Sequence, residues 1–271
     1  MKQDVHVASS TPKYPSGMRF AKRGKVWHYT KLATTTRTGG IYGATGYGGI
    51  TQGLGLFSVA KSSGALTIVR AVKGERTITI SAPTLVAGAY AGGLVTIYES
   101  TALPVLSMGV ISNTATVILL DGPLPATYTP GAITHSQVVT GPYYEVVMPG
   151  PDVSAGAAFD YCPGIFNTPF DEDGNDPEAG DYVWLQTWGL CYMWVCAAYR
   201  GGVGGEREVI MRGDGAGQTL AAGDIATMAN HQRVGVLYPG TGAAAVGNNP
   251  GPTNGTAVTV ASNVVLLQIA P

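Results

Sequence analysis

Short apolar runs broken by turn residues dominate the chain. LTIVRAV (66–72), RTITIS (76–81), LVTIYES (94–100), TVILL (116–120), ITHSQVV (133–139) and YYEVVM (143–148) are bounded by pairs such as Lys73-Gly74, Ala87-Gly88 and Asp121-Gly122. Thr77 and Thr79 alternate with Ile78 and Ile80, the period-two pattern of a half-buried strand. Nearer the start, MRFA and VWHYTKL flank Arg23-Gly24, which predicts a hairpin over 18–32. Toward the end, EREVIMR, HQRVGVLYP, GTAVTVA and NVVLLQIAP read as further strands. The last of these alternates poorly, which predicts burial on both faces. AGDIATMAN fits one helical turn or a strand. The pattern predicts roughly a dozen strands or more, with well over a third of residues in strand and under about a tenth in helix.

The segments without period divide the chain. Residues 1–17 are polar, hold Pro12 and Pro15, and predict an extended arm that orders only against another surface. Val5, Val7 and Tyr14 are its apolar contacts. An N-terminal β region follows over 18–150, with an irregular Gly-rich loop at 34–55. Residues 151–180 are rich in proline and acid and read as a surface loop or linker. A C-terminal β region occupies 181–271. The fold class expected is all-β: an antiparallel sandwich or barrel, jelly-roll-like or related, in one or two modules.

Composition sharpens this reading. Charged residues make up only 12% of the 271, against a usual share of about 25%. Glycine (39) and proline (17) interrupt any helical pattern within a few turns. The hydrophobic share, 45%, is ordinary, so the chain has apolar surface to build a core. A net charge of −1 and the lack of a basic block argue against a nucleic-acid partner. Lys and Arg gather mildly between Lys13 and Arg37, as solvated surface or as a contact for an acidic partner. No apolar run approaches the roughly 20 residues of a membrane helix, and Met1–Ser16 lacks the apolar stretch of a signal peptide. Cys162, Cys191 and Cys196 are odd in number, and two lie in an apolar run, so three unpaired thiols are expected.

Candidate chemistry is sparse. GATGYGG places Gly43, Gly46 and Gly49 in a frame like a dinucleotide loop, but no strand precedes it and no helix can follow. Turn glycines are the better reading, and no cofactor is expected. Asp171, Asp173 and Asn175 fall at the first ligand positions of a calcium loop. Asp176 and Tyr182 stand where an EF-hand needs Gly and Glu, so a solvated acidic loop is the simpler reading. His6, His28, His135 and His231 have no metal-ligand partner at close spacing. Arg212-Gly213-Asp214 and the sequon Asn254-Gly255-Thr256 are read as chance tripeptides in turns. The densest aromatic group is Trp184, Trp188, Tyr192 and Trp194, evenly spaced so that one strand face carries all four if no turn intervenes. Such a face suits a core, a subunit interface or a sugar platform.

Three segments carry a resemblance. GMRFAKRGKVWHYTKLA (17–33), DYVWLQTWGLC (181–191) and HQRVGVLY (231–238) resemble, in that order, segments of small phage virion structural proteins of the capsid decoration or cement type. The resemblance implies a decoration or cement role on the capsid surface, with the major capsid protein as partner. Together with the charge, apolar-run and cysteine readings above, a non-enzymatic protein assembled in the host cytoplasm, with no nucleic-acid or membrane partner, is expected. A homo-oligomer is expected, a trimer by preference, with Trp184, Trp188, Tyr192 and Trp194 at the interface. The alternative is a head-fibre or tail protein that binds a receptor or glycan. A metal-dependent hydrolase ranks last.

Overall fold

The computed structural model describes residues 3–33, 53–59, 61–98, 104–128, 136–147, 161–196, 208–211, 215–219, 232–238 and 260–270. These residues form strands and turns without a helix, so the fold is all-β as expected. The Gly-rich frame at 43–49, His135, His231, Arg212-Gly213-Asp214, the sequon at 254–256, AGDIATMAN and the 151–160 part of the Pro-rich segment lie outside the described residues.

The chain divides differently from the sequence expectation. One compact unit joins residues 1–58 to 145–271, and the other is the continuous stretch 59–144. The boundary expected near 150 and the separate C-terminal region from 181 are therefore corrected. The strand beginning at Glu145 belongs with the N-terminal hairpin, because Glu145 and Val146 pair in parallel with Lys31 and Leu32.

The 59–144 unit contains β5 (Thr67–Ala71), β6 (Thr77–Ala82), β7 (Leu94–Tyr98), β8 (Pro104–Asn113), β9 (Val117–Leu120) and β10 (Gln137–Val139). They form one antiparallel sheet in the order β10-β7-β8-β9-β6-β5. Its alternation matches the sequence: Ile78 and Ile80 are buried while Thr77 and Thr79 are half-exposed. Leu66, Ile68, Ile97, Val110, Ile118, Leu120 and Val138 close a core drawn wholly from this unit. The β8–β9 turn is fastened by Asn113, which donates to the Val86 carbonyl at 2.8 Å and accepts from the Tyr90 N–H at 2.9 Å.

The other unit holds β1 (Val7–Ala8), β2 (Arg19–Lys22), β3 (Lys25–Leu32) and β4 (Leu54–Ser58) before the insertion. After it come β11 (Glu145–Val147), β12 (Gly164–Phe166), β13 (Phe170–Asp171), β14 (Tyr182–Cys196), β15 (Glu208–Met211), β16 (Gly217–Thr219), β17 (Arg233–Leu237) and β18 (Val260–Gln268). Ten of these form a mixed, mostly antiparallel sheet in the order β16-β15-β17-β18-β14-β12-β4-β11-β3-β2, with β14 also paired to β3. The chain leaves this unit from β4 and returns on β11, and those two strands are antiparallel neighbours. The expected irregular loop over 34–55 thus ends in a strand. Gly55 packs closely within it, since a Cβ there would press on the side chains of Met211 and Cys162.

The arm expectation is also corrected. Residues 3–17 lie on their own unit. Val7 and Ala8 pair in parallel with Phe170 and Asp171, and Ser9 exchanges backbone hydrogen bonds with Tyr182 at 2.8 and 3.0 Å. Gln3 is buried, donating to the Val7 and Tyr182 carbonyls and accepting from the Tyr29 hydroxyl at 2.8 Å. Val5 and Tyr14 pack on Trp27, Tyr29 and Trp184. Counting apolar residues underestimates this segment, since an aromatic cluster on the sheet needs a cover and Tyr14 supplies one.

The last strand corrects the burial expected for it. Val265 and Leu267 are buried, while Leu266 and Gln268 are exposed, so β18 has one solvent face.

Candidate functional site

The β3–β14 pair organises the candidate residues. Trp184 lies opposite Tyr29 and Gln186 opposite Trp27, so these side chains share one face. That face is an aromatic core: Tyr29 and Trp184 centroids are 5.0 Å apart, Tyr14 lies 5.3 Å from Trp184, and Phe20 lies 5.9 Å from Trp184. The other face of the same strands carries Leu32, Val183 and Leu185, packed with Leu56, Val146 and Phe166. Burial on both faces explains why the sequence here does not alternate.

The evenly spaced aromatic stripe is broken. Between Gln186 and Trp188 the register slips, so that Trp188 lies opposite Val26 and not on the Trp184 face. A bulge adds one residue to one strand and reverses the side-chain parity of the residues beyond it. Its backbone is held by side chains: Gln186 Nε2 donates to the Trp188 and Leu190 carbonyls at 3.1 and 2.9 Å, and Thr187 Oγ1 donates to the Ala270 carbonyl at 2.7 Å. Trp184 is therefore core, 2% exposed, and is corrected as an interface candidate. Val5, Val7 and Tyr14 likewise serve internal contacts. Trp188 is half-buried and Tyr192 exposed, on the opposite face from Trp184. Trp194 pairs with Ser262, and its side chain lies outside the described residues.

Beyond the bulge an apolar surface appears. Leu190 lies opposite Leu266 and Tyr192 opposite Val264; Leu266 in turn lies opposite Val236. Tyr238 joins this row through its N–H bond to the Val264 carbonyl at 2.9 Å. Leu190, Tyr192, Leu266 and Tyr238 are 39%, 43%, 36% and 47% exposed, which makes three adjacent strands present large apolar side chains outward. Only Tyr192 of this group was singled out from sequence. Leu266 was hidden by the expectation that β18 is buried on both faces.

A groove lies at the β2–β3 tip. Arg19, Ala21, Lys22, Arg23, Gly24, Lys25, Val26 and Trp188 line it, with a volume of about 430 Å³. Arg23 and Gly24 both have positive φ, 52° and 75°, as in a type I′ turn. Gly189 (φ 86°) lets the turn approach β14, since a Cβ there would strike the Gly24 carbonyl. The register places Arg19, Ala21, Val26 and Trp188 on one face. His28 shares that face, 8% exposed, with Nδ1 3.2 Å from Thr187 Oγ1. Burial, and next the nearby Arg19 charge, lower its pKa to about 4.

The remaining candidates have structural partners. Cys162 and Cys191 are free, buried thiols, and burial pushes each up to about 12. That holds them protonated and poorly nucleophilic at neutral pH. The side chain of Cys196 lies outside the described residues. In the acidic loop, Asp171 Oδ1 accepts the N–H groups of Asp173 and Asn175 at 2.9 and 2.7 Å, and Glu172 pairs with Lys13 at 3.3 Å. Among the described residues no group of three or more His, Cys, Asp or Glu side chains is placed to hold a metal ion.

The 17–33 segment forms β2 and β3, the 181–191 segment opens β14, and 232–238 of the third segment forms β17 and its flanks. All three lie in the ten-stranded sheet. No protein-family model, no curated protein and no solved structure matches the chain.

Proposed function

We propose that the protein is a non-enzymatic virion structural protein that attaches to the capsid surface and stabilises it, in the manner of a decoration or cement protein. The observation that carries this reading is the apolar face of β14, β18 and β17. Leu190 and Tyr192 on β14, Leu266 on β18 and Tyr238 just past β17 stand outward side by side, and a contiguous apolar row of this kind supports a contact surface better than isolated exposed residues would. A protein that binds only the assembled shell stabilises that state by mass action. The resemblance of 17–33, 181–191 and 231–238 to decoration-type proteins supports the placement on a capsid, and its three segments border this face in the same sheet. The major capsid protein is the proposed partner, and a second or third copy of the chain the proposed neighbour.

Mass spectrometry and electron cryo-microscopy of purified particles test the reading. Copies spread over the shell lattice, and weakened attachment of a Tyr192→Asp, Leu266→Asp double variant that still folds, are expected. Copies confined to fibres or the tail would instead favour the receptor-binding alternative. Absence from particles would reject both.

A further inference from the structure

The β2–β3 tip has a chemistry that capsid attachment through β17 and β18 does not use. We propose that Trp188 and the cations of this tip form a binding site for an acidic saccharide, a sugar carrying carboxylate or sulfate groups.

The donors decide the charge of the ligand. Arg19 shares the Trp188 face and Arg23 stands at the turn, while Lys22 and Lys25 flank the groove from the opposite, Phe20–Trp27 face; no carboxylate lines it among the described residues. Lys and Arg side chains donate hydrogen bonds and accept none. A neutral sugar offers hydroxyls that need acceptors as well as donors, whereas carboxylate and sulfate oxygens only accept. Charge-assisted bonds to such oxygens are the stronger kind.

Trp188 decides the rest of the ligand. Its half-buried indole forms an apolar wall beside the cations. The C–H face of a sugar ring packs on such a wall, while an acidic peptide needs only the charges. A nucleic-acid strand needs a basic track along successive phosphates, and here the cations are confined to one hairpin tip on a chain of net charge −1.

Two features of the backbone shape the tip. Arg23 occupies a left-handed position (φ 52°) at the turn, which presents its side chain at the end of the hairpin. Gly189 admits the backbone of the turn against β14 immediately after Trp188, which brings the hairpin end close to the indole. Of the aromatic stripe, one alternative reading of which was a sugar platform, a single tryptophan remains at this tip, and its charged neighbours favour an acidic over a neutral ligand.

Calorimetric titration of the full-length protein with tetragalacturonate and with a heparin-derived tetrasaccharide tests the site, with maltotetraose, tetraglutamate and a thymidine tetranucleotide as comparisons. At least one acidic saccharide is expected to bind, more weakly as salt is raised, and the three comparisons at least about tenfold more weakly. Arg19→Ala with Arg23→Asn, Arg23→Asn alone, and Trp188→Leu are each expected to weaken binding, the double variant by about tenfold or more. Arg23→Asn lies on the exposed tip and keeps a turn-compatible residue, so it carries the test should Trp188→Leu fail to fold. The proposal is overturned if neither acidic saccharide binds, if tetraglutamate or the tetranucleotide binds as tightly, or if the folded variants bind like the wild type. Because purified protein suffices, failure here leaves the capsid reading, which is tested on particles, standing.

Discussion

At the scale of single residues, Arg23 and His28 are held in states their chemistry disfavours. Arg23 stands with φ 52° at the first central position of the hairpin turn, where a side chain longer than Asn gains nothing and loses backbone freedom. Arg23→Asn is therefore expected to stabilise the protein by roughly 0.5–1 kcal/mol, read as a raised denaturation midpoint with an unchanged slope. Raised stability combined with lost saccharide binding would separate the two roles of this position. His28 is buried as the neutral imidazole, with a pKa of about 4 against 6.5 for the free side chain. Between those values the unfolded chain binds more protons than the folded one, so stability rises with pH. The contribution is complete above about pH 6.5 and is lost as pH falls toward about 4. His28→Gln is expected to flatten this limb of a melting-temperature profile; an unchanged slope would refute the assignment.

At the scale of elements, the bulge in β14 is the decisive irregularity. It turns Trp184 toward the aromatic core and sends Leu190 and Tyr192 to the outside. Gly189 comes just after it with φ 86° against the Gly24 carbonyl. Gly189→Ala adds both backbone strain and a collision with the turn, and a loss of roughly 2–4 kcal/mol is expected. The damage should concentrate at the β2–β3 tip, so hydrogen exchange at Lys22–Val26 should accelerate more than exchange at the β6–β9 pair. Uniform acceleration across both units would contradict this local account. Together with β3, the same strand explains the docking of residues 3–17, whose Gln3, Val5, Ser9 and Tyr14 find partners on Tyr29, Tyr182 and Trp184.

At the scale of the molecule, residues 59–144 form a unit with its own sheet and its own core. Every strand pairing of that sheet joins residues within the stretch, and its core residues come from nowhere else. Expressed alone, 59–144 is expected to give a strand-dominated circular dichroism spectrum and a cooperative thermal transition. A spectrum of disordered chain would show that the unit depends on the remainder for its fold.

Residue pattern by itself determined the fold class, the hairpin at Arg23-Gly24 and the strands near 66–72, 76–81, 94–100 and 116–120, because there the partners lie close in sequence and one sheet face is buried; most of β8 (Pro104–Asn113) escaped it. The period-two signal survives only under that condition: Ile78 and Ile80 show it plainly, while Tyr29, Trp184 and Leu185, in strands packed on both faces, do not. Tertiary structure alone decided which unit β11 joins, that residues 3–17 are covered and covering, and which aromatic side chains reach the surface. Each of these depends on contacts between residues distant in the chain. The bulge at Thr187 shows the reason most directly: one extra residue reverses side-chain parity, and its cause lies in Val26, Gln186 and Ala270, which only the assembled sheet brings together.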